Sequence, residues 1–291
     1  MESTSPSLAI PSTSLKPQPR SPAGPLEKQR TSSEWVCHFE ENEQRQAEMA
    51  WDEVFELNPT ERRAISQSIA VFQLGESSEG LYFKAAGARY AATHDDSFYP
   101  QALDLFIAEE NRHAAYLGRF MRRHGIAFKE SEWTDSVFRA VRRLAGLEIS
   151  VSVLITAELI ATVYYRGLRE ATRSVCLRRI CNQILKDEDE HLLFQAGVLG
   201  KMRRGHGPVR RWFTRWLSRG FMAGTLVVVW TSAHRRVLRA GGIPFTEYVR
   251  DTWRELERCL RLAERGAELP ASNFAATSAG TRRAKDSVDK G

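Results

Sequence analysis

Residues 103–120 read LDLFIAEENRHAAYLGRF, and their spacing decides the fold. Positions 103, 106, 110, 113, 117 and 120 recur three or four residues apart, the pattern of one buried helix face, and Leu103, Phe106, Leu117 and Phe120 fill four of them. Glu110 and His113 stand on the same stripe, where further apolar residues would be expected. Residues 184–198, ILKDEDEHLLFQAGV, repeat the arrangement, with Ile184, Glu188, His191, Gln195 and Val198 in one row. Residues three apart on a helix differ by about 60° in azimuth and lie one turn apart, so each glutamate can reach the same ion as its histidine.

Outward from these two stretches the chain reads as all-α. Asn58-Pro59-Thr60-Glu61 has the form of a helix start. The spacing of Ile65, Ile69, Phe72, Phe83, Ala86 and Tyr90 predicts one long helix that stops at Thr93-His94-Asp95-Asp96-Ser97. The helix of His113 ends near His124-Gly125. A third starts near Thr134, bends at Gly146 and carries Val151, Leu154, Ile155 and Tyr165. A fourth runs from Ser174 to Gly205-His206-Gly207-Pro208, and two more are expected at 209–239 and 245–268. Segments 59–124 and 134–204 each place a lone glutamate ahead of a Glu-x-x-His pair, the duplication expected of two helical hairpins. No alternating apolar pattern suggests a strand.

These elements predict a domain over 34–268, with a core bundle at about 59–204 and extra C-terminal helices at 209–268. Residues 1–33 and 269–291 are Ser-, Pro- or Ala-rich and poor in large apolar groups, so disordered tails are expected. Trp35 to Trp51 reads as a polar segment. The apolar run Phe221–Trp230 is too short and too closely flanked by arginine to span a bilayer, and the N-terminus lacks a secretory apolar region. Cys37, Cys176, Cys181 and Cys259 form neither a Cys-x-x-Cys pair nor a disulfide framework, which favours a reducing cytoplasm. The +6 net charge suits an acidic protein partner, a nucleic acid or an anionic surface equally and does not choose among them. Arg210-Arg-Trp-Phe-Thr-Arg-Trp-Leu-Ser-Arg219 could meet a membrane surface or an acidic donor, but its Trp and Leu face is expected to cover the bundle while the arginines stay solvated.

Glu158 lies between Ile155 and Thr162 on an inward stripe, and the first long helix offers Glu76 or Glu79. Four carboxylates gathered in one core would repel one another and take up protons unless cations neutralised them. Two divalent ions carry the four balancing charges, and mixed oxygen and imidazole donors suit iron or manganese. Without metal, Arg112, Arg166 or Arg169 would have to neutralise the acids. Tyr82, Tyr164 and Tyr165 could relay electrons or shape a substrate cavity but read mainly as core packing, and the remaining histidines receive no role.

Phe106-Ile-Ala-Glu-Glu-Asn-Arg-His113 resembles the Glu-Glu-Asn-Arg-His motif of plant acyl carrier protein desaturases, and Asp187-Glu-Asp-Glu-His191 is similar to their second, Asp-Glu-Lys-Arg-His. Gly75-Glu76-Ser77 resembles the start of the first ligand helix of rubrerythrin. The separation of Glu158 from Glu188 is similar to that in aldehyde-deformylating oxygenases. The resemblance covers about residues 59–204 and implies a ferritin-like four-helix bundle with flanking helices and two iron ions, with manganese or a mixed pair as alternatives. It implies that Glu110 and Glu188 bridge the metals while His113, His191, Glu158 and Glu76 are terminal ligands. Glu79 stays open beside Glu76, because the midpoint of Glu79 and Glu110 falls at the inter-helix turn, as that of Glu158 and Glu188 does.

The implied activity is O₂-dependent oxidation of a largely apolar small-molecule or carrier-bound substrate by desaturation, hydroxylation or N-oxygenation. The alternatives are a ferroxidase or peroxide-scavenging iron-handling protein, or a metal-free structural bundle. The chain carries no flavin, nicotinamide or rubredoxin-type motif, so an external donor such as a ferredoxin is expected. No nucleic acid is expected, and a homodimer is allowed.

Overall fold

The computed structural model describes residues 29–77, 80–132 and 146–268. Among them the regular elements are all helices: α1 (Ser32–Gln44), α2 (Pro59–Glu76), α3 (Leu81–His94), α4 (Tyr99–Arg123), α5 (Leu147–Ala171), α6 (Val175–Met202), α7 (Pro208–Thr231), α8 (His234–Ala240) and α9 (Phe245–Glu268). Residues 1–28 of the tail expected at 1–33, the tail expected at 269–291, and the third helix's start near Thr134 lie outside the described residues.

Four helices make the central bundle. α2 packs on α4, α5 packs on α6, and the pairs meet where α4 touches α6 and α2 touches α5. Two apolar layers fill it. One contains Phe106, Ile107, Ile155, Leu159 and Leu192, and the other contains Ile69, Leu117, Phe120, Tyr164 and Ile184. α4 and α5 pass from the first layer to the second, whereas α6 passes from the second to the first, so α6 runs antiparallel to both. The Glu-x-x-His pairs fall between the layers.

The ends of these helices are fixed by their caps. Asn58 Oδ1 accepts from Thr60 N and Glu61 N ahead of Pro59, satisfying first-turn donors of α2. Ser174 caps α6, and Glu53 accepts hydrogen bonds from the first-turn N–H groups of Val175 and Cys176 at 2.7 and 2.9 Å. Burial opposes ionisation of Glu53, yet these hydrogen bonds hold its carboxyl below the ordinary range.

Several sequence expectations need correction. The single helix expected from residue 59 to the Thr93 region is two, because α2 ends at Glu76 and the chain re-enters α3 through Gly80 in the left-handed conformation, φ 62°. The segment around Trp35 to Trp51 is not merely polar: Thr31 and Glu34 form a capping box that starts α1, whose Trp35, Val36 and Phe39 are buried. Ordered structure therefore begins before residue 34. The 209–239 helix is α7 and α8, separated around Ser232.

The Trp and Leu face of α7 does not cover the bundle as expected. Trp212, Phe213, Trp216 and Leu217 are at least half exposed, while Arg215 and Arg219 reach Glu257 and Glu264 of α9. Finally, Phe221–Trp230 is not the nearest approach to a membrane span. α5 alone among the described helices is long and apolar enough by composition, and 67% of that window is buried inside the protein.

Candidate metal centre

Each helix of the bundle delivers one carboxylate to a common point. α2 supplies Glu76 at its last residue, α4 supplies Glu110, α5 supplies Glu158 and α6 supplies Glu188. His113 and His191 sit one turn beyond Glu110 and Glu188 on the same stripes. The result is two interlocking sets of donor atoms: Glu76, Glu110, His113 and Glu188 in one, and Glu110, Glu158, Glu188 and His191 in the other. Within each set the donor atoms lie within 4.8 Å of one another. Glu110 and Glu188 belong to both. Of the site residues expected from sequence, the structure gathers Glu76, Glu110, His113, Glu158, Glu188 and His191; Glu79 lies outside the described residues.

The histidines present the same nitrogen to the cluster. His113 Nδ1 lies 3.9 Å from Glu76 and Glu110 and 4.0 Å from Glu188. His191 Nδ1 lies 2.8 Å from Glu110 and 3.7 Å from Glu188. The opposite nitrogens point to carboxylates outside the donor sets, Nε2 of His113 to Asp187 at 3.1 Å and Nε2 of His191 to Glu109 at 3.0 Å. Each of these acids immediately precedes the shared glutamate on the other helix. Asn42 of α1 closes the outer layer, its Nδ2 donating to Glu109 at 2.5 Å and to Asp187 at 2.9 Å. Gln183 also donates to Asp187, and Arg112 to Glu109.

The two unshared glutamates each have one neutral partner. Tyr165 donates its hydroxyl to Glu76 Oε1 at 2.6 Å, and Gln195 Nε2 donates to Glu158 Oε1 at 2.8 Å. Phe106 and Phe39 lie beside the His191 ring, with centroids 4.7 and 6.2 Å away. Only Glu110 has appreciable contact with solvent, its side chain being 16% exposed. A cavity of about 430 Å³ opens elsewhere, lined by Arg30, Glu34, Trp35 and Glu190 among others and by none of the gathered residues.

Without cations, such a cluster redistributes protons. Burial, reinforced by Glu110, pushes the Glu76 carboxyl up to about 8. Burial and the neighbouring Glu158 push Glu188 well above the carboxylate range. Burial works against charge on both histidines, but the surrounding carboxylates outweigh it and raise them, His191 strongly. Asp187 and Glu109 move the other way: despite burial, their histidine partners hold them low, Asp187 at about 2.

A test of fit comes from the hydrogen bonds that are missing. Nδ1 of both histidines, both carboxylate oxygens of Glu188 and Oε1 of Glu110 are buried without a hydrogen-bond partner, although His191 Nδ1 is close to Glu110. Buried polar atoms are nearly always satisfied, and orphans cost about 1–3 kcal/mol each. Five orphans converging on one point, all of them good donors to a hard or borderline divalent cation, fit a metal site. The buried Glu and His cluster can hold metal.

Sequence reasoning missed Asn42, Glu109, Asp187 and Gln195. A signal for two of them was present, since an acid immediately precedes the glutamate of each Glu-x-x-His pair. Tyr165 packs in the core as expected and in addition touches Glu76. No protein-family model, curated protein or solved structure matches the chain.

Proposed function

We propose that this chain is a ferritin-like, non-haem di-iron oxidoreductase that uses O₂ to oxidise a largely apolar organic substrate by desaturation, hydroxylation or N-oxygenation. The observation that carries the reading is the sharing of Glu110 and Glu188 between two four-residue donor sets. One ion needs one set, whereas a bridged pair needs two sets with two common carboxylates. Four carboxylates balance two divalent cations, and mixed oxygen and imidazole donors suit iron, with manganese or a mixed pair as alternatives.

Glu76, Glu110, His113, Glu158, Glu188 and His191 would hold the two ions, which as ferrous iron would supply electrons for the reduction of O₂. The protein's part is to hold and insulate them. Asp187 and Glu109 fix the rings of His113 and His191 so that Nδ1 faces inward. Tyr165 keeps a proton at Glu76 Oε1. Phe39 and Phe106 cover the His191 side with apolar surface. Electrons must arrive from an external donor such as a ferredoxin, because the four cysteines supply no iron–sulfur motif.

The discriminating experiment is a single turnover of iron-loaded, reduced protein with ¹⁸O₂ and a panel of acyl and amine compounds, read by mass spectrometry. Label incorporated into one compound, or loss of two hydrogens from it, is the expected result. O₂ uptake that yields only ferric iron, with every compound unchanged, would assign the centre to iron handling.

A further inference from the structure

We propose that α7 is a docking surface for an anionic lipid bilayer, on which the protein sits peripherally. Val209, Trp212, Phe213, Trp216, Leu217 and Val227 are 50–79% exposed, and Gly220, Ala223 and Gly224 between them are exposed as well. They recur every three or four residues, so they form one uncharged stripe about 27 Å long at 1.5 Å per residue. A helix that served only to cover the bundle would turn this stripe inward. Instead, Met222 and Leu226 anchor the second half of α7 in the core, and in the first half the polar side faces α9: Arg219 forms two hydrogen bonds to Glu257 at 2.7 and 2.9 Å, and Arg215 reaches Glu264 at 2.7 Å.

Charge selects the occupant. Between Glu190 and Glu247 the chain contains no Asp or Glu, but one Lys and nine Arg. Arg210, at the start of the stripe, is 62% exposed, and Arg235, Arg236 and Arg239 are exposed just beyond its end. A second copy docked antiparallel on the stripe would bring Arg210 of one chain near the arginines after α7 of the other, like charge against like. An anionic bilayer meets both features together, since its headgroups attract the arginines and its acyl boundary takes Trp, Phe, Leu and Val side chains. Tryptophan in particular favours that boundary.

The test is flotation of the full chain with vesicles of phosphatidylcholine alone and of phosphatidylcholine with phosphatidylglycerol, for wild type and Trp212→Ser/Trp216→Ser. Wild type is expected to float with the anionic vesicles, to float less as salt rises, and to stay behind with neutral ones. The double variant should lose about ten-fold or more of the binding, since two large aromatic anchors are removed from the apolar stripe. Its thermal midpoint should be unchanged, because both rings are exposed. Wild type that ignores anionic vesicles, or a double variant that floats equally well, would overturn the proposal. A dimer in sedimentation, or a complex with an acidic ferredoxin, that the double variant loses without any flotation would transfer the surface to that partner. None of these readouts depends on the metal centre.

Discussion

Both imidazoles of the cluster are held by one device: Nδ1 inward among carboxylates, Nε2 outward on an acid from the facing helix. Asp187 orients His113, Glu109 orients His191, and Asn42 ties the two acids together. Outer partners of this kind typically contribute roughly 10–100-fold to metal affinity. Asp187→Ala and Glu109→Ala are therefore each expected to weaken metal binding by about that factor in chelator competition, although neither residue is in a donor set. Unchanged affinity would reduce the outer carboxylates to packing. Protonation gives a second prediction. Folded, metal-free protein retains protons on Glu76, Glu188 and both histidines at pH values where the unfolded chain releases them. Its stability should fall as pH rises through the window from ordinary carboxylate values to about 8. Asp187 and Glu109 are shifted down, so their contribution is complete above the ordinary carboxylate range and is lost only in acid. Metal must displace the protons on its ligands, so its stabilising effect should grow over the same interval. Thermal melts at about pH 6 and about pH 8, with and without metal, should slope in opposite directions from the same groups.

At the scale of elements, the junction between α2 and α3 is the most sensitive feature beside the cluster. Gly80 has φ 62°, and a Cβ there would come within 2.5 Å of Ile107 Cδ1. Gly80→Ala is expected to destabilise by about 1–2 kcal/mol from the left-handed backbone alone, with more if Ile107 cannot move. A melt equal to wild type would show that the junction relaxes freely. This junction was not legible in the stripe of Ile65 to Tyr90, because apolar periodicity continued in phase across the break. The Gly75-Glu-Ser-Ser-Glu-Gly80 composition was the available hint. α1 was hidden for a different reason: it buries only Ser32, Trp35, Val36, Phe39 and Asn42, a narrow helical stripe beneath charged neighbours. The Glu-x-x-His helices were legible because polar residues on a buried stripe contradict their surroundings, and that contradiction requires a partner. The orientation of α7 was not legible, since it depends on Glu257 and Glu264, some forty residues further along the chain.

At the scale of the whole molecule, the cluster joins four helices at the boundary between two apolar layers, so its charge balance bears on the stability of the entire bundle. A ligand bound only by the folded state stabilises it by about 2.7 kcal/mol at a hundred times its dissociation constant. Chelation should accordingly lower the thermal midpoint of wild type and leave Glu110→Ala/Glu188→Ala unaffected. The most direct measurement of the central claim is metal content per chain, for wild type and that double variant, after expression in iron-supplemented medium. The account predicts about two iron ions per wild-type chain and their loss from the variant. Wild type purified without metal that also fails to take up iron, manganese or zinc in solution would contradict it, leaving the orphaned donors of Glu110, His113, Glu188 and His191 as features of a purely structural core.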